Sequence, residues 1–285
     1  MTGKLYDRLC ALEIFPPDAD DGVRIENLRI RFDITKTIRS EANTARITVY
    51  GLSDDTRNVI EGTEDRVRLF AGYEQDTGLE LLFDGSITRV QHDISPPNVT
   101  TTLETGDGID VLRNTRVNLS YDAGVPARQI IDDLSDELGV TVREILEDSD
   151  RGDDSYLGGF SFGGAAESAL DRVTDRVGAQ WSIQNGEIQV IGRGEALDRE
   201  AVVLTPGTGL LATPEKLDNV TEALSEEQDI PGWRLRSLLN PKLEPGRIVE
   251  VESRVVEGRF VIQSVDHSGD TRGANWESVC EVIEL

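Results

Sequence analysis

An echo of the chain's first third, returning near its end, constrains the fold more than any other feature. Residues 85–103 read G-S-I-T-R-V-Q-H-D-I-S-P-P-N-V-T-T-T-L, and residues 260–282 read F-V-I-Q-S-V-D-H-S-G-D-T-R-G-A-N-W-E-S-V-C-E-V. In each copy an isoleucine, a spacer and a valine (Ile87 and Val90; Ile262 and Val265) lead to a histidine two positions on. A polar turn and a second alternating strand follow. The only two histidines, His92 and His267, hold the same place in the two copies. Upstream, the run from Val67 to Gly72 precedes the first hairpin, and the run from Ile248 to Ser253 precedes the second. Two such units predict a duplicated β module.

The rest of the chain fits around that repeat. Residues 5–14 alternate weakly, and Pro16-Pro17-Asp18 breaks the strand. Leu28, Ile30, Phe32 and Ile34 alternate with polar residues, as in a half-buried strand, and Ile47 and Val49 mark the next. Ser53 before Asp54-Asp55 predicts an N-cap and a short helix over 54–61. Strands are predicted near 66–73, 79–91 and 98–105, with Asp107-Gly108 closing the unit. After about residue 116 the period changes. Val125, Ile130, Ile131, Leu134 and Leu138 fall at helical spacing with Gly139 as a C′ glycine, and a second helix is predicted over 165–177. Asn185-Gly186 between two alternating runs is a hairpin signal. From about 200 the β pattern resumes, with turns at 206–209, 231–232 and 245–246. The expected architecture is mainly β: two similar small β-barrel or split-barrel domains, 1–116 and 196–285, flanking an α+β insert at 117–195 with two helices and a hairpin.

Charge excludes some functions. With 54 acidic residues against 29 basic ones the formal net charge is −25, and only Lys4, Lys36, Lys216 and Lys242 are lysines. The acids are scattered (Asp18, Asp20, Asp21, Asp54, Asp55, Asp132, Asp133, Glu226, Glu227), not gathered into one cation-binding cluster. Dispersed acidity with few lysines fits a protein adapted to molar salt, where a Debye length of about 3 Å screens self-repulsion. Direct DNA binding is disfavoured, because such affinity comes mainly from neutralising phosphates with basic side chains. No signal peptide is read at the N-terminus, and no apolar run approaches the roughly 20 residues of a membrane span. Cys10 and Cys280 read as buried small apolar side chains in preference to a disulfide.

Positive signs of catalysis are lacking. Two histidines far apart give little support for a triad or a metal site; each reads as a strand residue at a turn. Asp148–Asp154 alternates oxygen side chains like a calcium loop, but its twelfth position is Gly159 in place of a glutamate. Gly106-Asp107-Gly108 and Gly192-Arg193-Gly194 read as turns, and no phosphate-binding Gly-Lys-Ser/Thr occurs. A glycosidase carboxylate pair is not singled out by any spacing. The expectation is a non-enzyme with no catalytic, cofactor-binding or metal-binding residues.

Several phrases resemble tailed-phage baseplate hub proteins. Ile30-Arg31-Phe32-Asp33-Ile34-Thr35-Lys36-Thr37, then Glu41-Ala42-Asn43-Thr44-Ala45-Arg46-Ile47-Thr48-Val49-Tyr50-Gly51-Leu52-Ser53, is similar to that family's opening. Leu69-Phe70-Ala71-Gly72-Tyr73 and Leu82-Phe83-Asp84-Gly85-Ser86-Ile87 follow in the family's order. The runs 204–210, Arg236–Pro241, Pro245-Gly246 and His267–Trp276 are also hub-like. Ala42 stands where proline is usual and Gly51 where asparagine is usual, both at turns. The resemblance implies a structural protein of the virion tail tip, made in the host cytoplasm, and the dispersed acidity adds the expectation of a high-salt prokaryotic host. It implies a homotrimeric adaptor between a sixfold tail tube or distal tail protein and a threefold tip, spike or fibre. Such a hub would meet the tape-measure protein and form part of the genome-ejection channel, with no sequence-specific nucleic-acid contact and no stable membrane anchor. Two other readings stay open. One is a carbohydrate-binding or glycan-degrading virion protein, poorly supported with aromatics at 5%; the other is the hub of a cellular contractile injection particle.

Overall fold

The computed structural model describes residues 7–16, 22–60, 65–76, 78–95, 97–107, 115–145, 155–197, 200–220 and 230–285. The chain opens with strands β1 (Arg8–Phe15), β2 (Val23–Ile25), β3 (Arg29–Thr37) and β4 (Thr44–Tyr50). Helix α1 (Asp54–Val59) follows, its first turn capped by Ser53, whose hydroxyl accepts from the Thr56 amide. The meander β5 (Arg66–Tyr73), β6 (Gly78–Ser95) and β7 (Asn98–Gly106) completes this part.

Next come β8 (Arg116–Tyr121), β9 (Val125–Pro126), α2 (Ala127–Leu138), β10 (Val142–Ile145), β11 (Ser155–Tyr156), β12 (Phe160–Ala165), α3 (Ala166–Arg176), β13 (Ala179–Gln184) and β14 (Glu187–Gly192). Helix α2 ends where expected, at Gly139 with φ +64°. It begins at Ala127, because Val125 pairs with Tyr156 as a short strand. The last part is β15 (Val202–Leu204), β16 (Glu215–Leu217), β17 (Gly232–Leu238), β18 (Ile248–Glu252), β19 (Glu257–Asp270) and β20 (Trp276–Glu284). No helix among the described residues is long and apolar enough to cross a membrane.

One 13-stranded sheet contains both flanking parts, in the order β16-β17-β20-β19-β3-β4-β7-β6-β5-β1-β2, with β15 and β18 branching from β19. The path is open at β16 and β2, so its hydrogen bonds close no barrel among the described residues. Alternation decides which side is buried. Ile30, Phe32 and Ile34 face one core with Ile47, Val49, Leu69 and Leu103, while Leu235, Val249, Val251, Ile262, Val265 and Val282 face another. A third core lies between α2, α3 and the β13–β14 hairpin, built on Ile130, Leu134, Leu170, Val173, Trp181 and Ile188.

The echo in the sequence corresponds to equal hydrogen-bond registers. Ile87 pairs with Thr105, Thr88 is an extra bulged residue, and then Val90 pairs with Leu103 and His92 with Thr101. Ile262 pairs with Val282, Gln263 is the bulged residue, and then Val265 pairs with Cys280 and His267 with Ser278. The preceding strands also match, Val67 opposite Gly85 and Val249 opposite Phe260. That register makes Val249, one position beyond Ile248, the partner of Val67 in the repeat. The outermost strands depart from the repeat: β1 runs antiparallel to β5, whereas β15 runs parallel to β18.

Candidate functional site: a three-way polar junction beside an open strand edge

The two units join where β19 pairs with β3, Ser264 opposite Thr37 through Asp270 opposite Arg31. Phe32 fills the centre of this seam, edge-on to Trp276 with ring centroids 5.5 Å apart. Gly269 is required beside them, since a Cβ there would lie 2.3 Å from the Phe32 ring. At the seam's end Arg29 grips Asp270 through two hydrogen bonds of 3.1 and 2.6 Å, which hold that carboxyl below its usual range.

At the opposite end all three parts of the chain meet. Asn43 is fully buried; its Oδ1 accepts from the Thr37 amide, and its Nδ2 donates to the Ile183 carbonyl at 2.5 Å and to Gln184 Oε1 at 3.0 Å. The Asn43 carbonyl accepts from the Asp107 amide. Both carboxylate oxygens of Asp107 then accept from the β13–β14 turn, from the amides of Asn185 and Gly186, at 2.8 Å each. Asn185 and Gly186 have φ of +55° and +80°, the left-handed pair that a tight two-residue hairpin needs. Lys36, 1% exposed, donates to Asn185 Oδ1 at 2.9 Å and lies 3.9 Å from Glu244, which also accepts from Asn185 Nδ2. Burial raises the Asp107 carboxyl to about 6, against the opposing pull of Lys36 and the turn's hydrogen bonds. The cluster gathers one lysine and two carboxylates, charges whose burial is costly unless they are paired and hydrogen-bonded.

The histidines do not converge. His267 is fully buried beside this junction, with Nδ1 2.8 Å from Ser278 Oγ, and burial, helped by Lys36, pushes its pKa down to about 3. His92 makes the matching contact, Nδ1 to Thr101 Oγ1 at 2.9 Å, yet its residue is only half-buried. Each is a strand residue, as the sequence suggests, and lies three residues before the strand's end and the turn that follows. The difference between them is one missing strand. At Ser86 strand β6 has Arg66 of β5 on one side and Gly106 of β7 on the other. Beyond Ile87, whose amide reaches the Asp65 carbonyl, β5 has ended. The β5 side of Thr88–Ser95 therefore has no strand partner among the described residues, while the same side of β19 is covered by β3.

A cleft of about 960 Å³ opens beside the junction, lined by the turn at Asn185-Gly186, by Glu244 and Arg247, and by Arg66, Arg68 and Asp84. Arg66 and Arg68 both hold Asp84, at 2.7 to 3.0 Å. No group of three His, Cys, Asp or Glu among the described residues could hold a metal ion. Cys10 and Cys280 are buried free thiols, and burial raises Cys10 to about 12 and Cys280 higher still. Trp181 and Trp276 are buried and Trp233 half-buried, so they offer no exposed aromatic platform. The Asp148–Asp154 run and the Glu226-Glu227 pair lie outside the described residues.

Sequence reasoning passed over Lys36, Asn43, Gln184 and Glu244. One signal was available for Lys36: it continues the parity of Ile30, Phe32 and Ile34, which puts it on the buried side. The hub-like phrases supply most of the seam and two of the junction's side chains: Phe32, Lys36 and Asn43 in the first, Gly269, Asp270 and Trp276 in the last. Ala42, the position of the usual proline, packs against the insert's core, and Gly51 has φ +80°, a conformation asparagine also tolerates.

The fold is similar to that of several solved structures. The prophage MuSo2 43 kDa tail protein from Shewanella oneidensis matches with a TM-score of 0.68 at 11% identity, over 98% of each chain. The tail protein from Neisseria meningitidis MC58 matches with a TM-score of 0.67 at 11% identity, over 98% of this chain and 97% of that one. The Escherichia coli c3393 protein is described as a type VI secretion system component structurally similar to the bacteriophage T4 tail proteins gp27 and gp5. It matches with a TM-score of 0.62 at 14% identity, over 96% and 76% of the two chains. At these identities the likeness is one of fold. No curated protein sequence matches the chain. The model of the family described as baseplate hub gp41 matches residues 17–278, and the chain belongs to that baseplate hub family.

Proposed function

We propose that this hub is a homotrimeric adaptor, joining a sixfold tail tube to a threefold tip and enclosing part of the genome-ejection channel. The observation that carries this reading is the bare edge of β6. Within one chain the corresponding edge of β19 is completed by β3, the outer strand of the other unit. The outer strand of the second unit is β16, at the open end of the sheet. If β16 of a neighbouring chain covers β6 as β3 covers β19, the contact is head-to-tail. Three chains of two units each then close a ring of six similar units. An uncovered edge of this length is a template for pairing, and proteins seldom leave one bare. In this reading the division is 1–116, 117–195 and 196–285. The two sheet units complete barrel-like domains only within the ring, and the inserts lie at its periphery or on one face.

The side of the central sheet turned away from the core carries a cross-strand row of Asp33, Arg46, Glu104 and Arg89. Glu104 lies 3.9 Å from each of its arginine neighbours. A channel lined by this side is charge-balanced near the row, not uniformly acidic as the net charge alone suggests. DNA phosphates would meet paired charges there, with few unpaired cations to hold them. The proposal includes no catalysis. It also includes a high-salt host, because a formal charge of −25 needs screening: the melting temperature should rise from low salt to molar potassium chloride, and a flat or falling curve would remove that part.

The test is a copy count at the tail tip by electron microscopy of the virion or of a reconstituted tip. Three copies forming a six-unit ring are expected. Six copies, or one, would refute the adaptor.

A further inference from the structure

We infer that the insert is a hinged leaf, latched to the sheet by its Asn185-Gly186 turn and able to swing away as one body, widening the cleft. The inference is independent of the oligomeric reading. Its first basis is the separation of the cores. Among the described residues, Ala42 is the one hydrophobic residue from outside the insert that packs on the insert's apolar cluster, and Ile191, outside that cluster, lies against Gly246. The second basis is the polarity of the docking face. The hairpin buries Trp181 and Ile183 toward its own helices, but turns Ser182, Gln184 and the Asn185-Gly186 turn toward Lys36, Asn43, Asp107 and Glu244. Gln189, on the same side, is buried with its Nε2 lacking a partner.

Such a face can open at modest expense. Each hydrogen bond across it trades for one to water, so its net contribution is far smaller than its strength in isolation. A polar contact between units makes relative motion the default expectation. The turn also lines the cleft, while Arg66, Arg68 and Asp84, which line it too, belong to the continuous sheet. Movement of the leaf therefore changes the width of the cleft directly.

Native-state hydrogen exchange on the full chain at rising urea tests this. The Asn185 and Gly186 amides should exchange through an opening that leaves the Ile130, Leu134, Leu170 and Val173 amides protected. Asp107→Ala should speed the two turn amides at least tenfold without changing the insert's core. Spin labels placed through Asp136→Cys on α2 and Asp55→Cys on α1 should then show a second distance population. If the turn amides exchange only together with the insert's core, the leaf does not exist. If Asp107→Ala speeds them while the label distance stays single, the opening is local fraying and the inference fails. Should the Asp107 variant not fold, the urea series and the label distances in the chain that keeps Asp107 decide.

Discussion

At His267 the edge of β19 is covered by β3; at His92, the same place in the repeated unit, the edge of β6 is bare. Bulge, register and the histidine–hydroxyl pair coincide in the two copies. What differs is the environment: a neutral imidazole sealed in a core in one copy, and a half-buried one on an open edge in the other. The repeated unit is thus a finished seam in one copy and an open edge in the other, and the proposed ring puts a neighbouring chain at that edge.

The comparison is broken most forcefully at the finished seam. Phe32→Ala should cost about 3–5 kcal/mol in thermal or denaturant unfolding, because the ring is fully buried between the two units. Ile94→Ala, on the bare edge and 58% exposed, should leave the isolated chain within about 0.5 kcal/mol of the original. Equal losses from the two would mean that the edge of β6 is already covered. Gly269→Ala comes next, at about 1–3 kcal/mol, since its methyl must displace Phe32 or Trp276.

A finer contrast uses the histidine partners. Ser278→Ala strands the fully buried His267 Nδ1 and should cost about 1–3 kcal/mol. Thr101→Ala should cost less in the free chain, because His92 is only half-buried whereas His267 is fully buried. In the assembled hub the two costs should approach each other, measured as a loss of assembly for the Thr101 variant.

The smallest effect in the intact chain is the pH response of the junction, where two groups oppose each other. Asp107 titrates higher folded than unfolded, so its contribution is present below about pH 4 and lost as pH rises through about 6. His267 titrates lower when folded, so its contribution is present above pH 6.5 and lost as pH falls toward about 3. Between pH 4 and 6 the two slopes offset. Asp107→Asn should leave stability rising with pH across that window, and His267→Gln should leave it falling. If neither variant changes the slope of melting temperature against pH, the burial of these groups is misassigned.

Period-2 alternation made the strands legible, and the N-cap at Ser53 and the glycine at 139 made helix boundaries legible, because these signals are local. The repeat was legible because its registers depend on residues close in sequence. The junction was not, since Lys36, Asn43, Asp107, Asn185 and Glu244 are drawn together by pairing β19 with β3 and by the seating of one turn. Nothing near Asn185-Gly186 specifies what its amides will meet. Local charge pairing was illegible for a related reason: −25 is a property of the whole chain, while Asp33, Arg46, Glu104 and Arg89 become neighbours only across strands.

Amide hydrogen exchange, with the seam as its own control, tests the central claim most directly. Residues Ser264–Asp270 of β19 should be protected in the free chain and in the assembled hub alike. The outward amides of Thr88–Ser95 should exchange rapidly in the free chain and become as slow as the seam once the hub is assembled. Thr88–Ser95 amides that stay fast in the assembled particle, or are already slow in the monomer, would contradict the completion of β6 by a second copy.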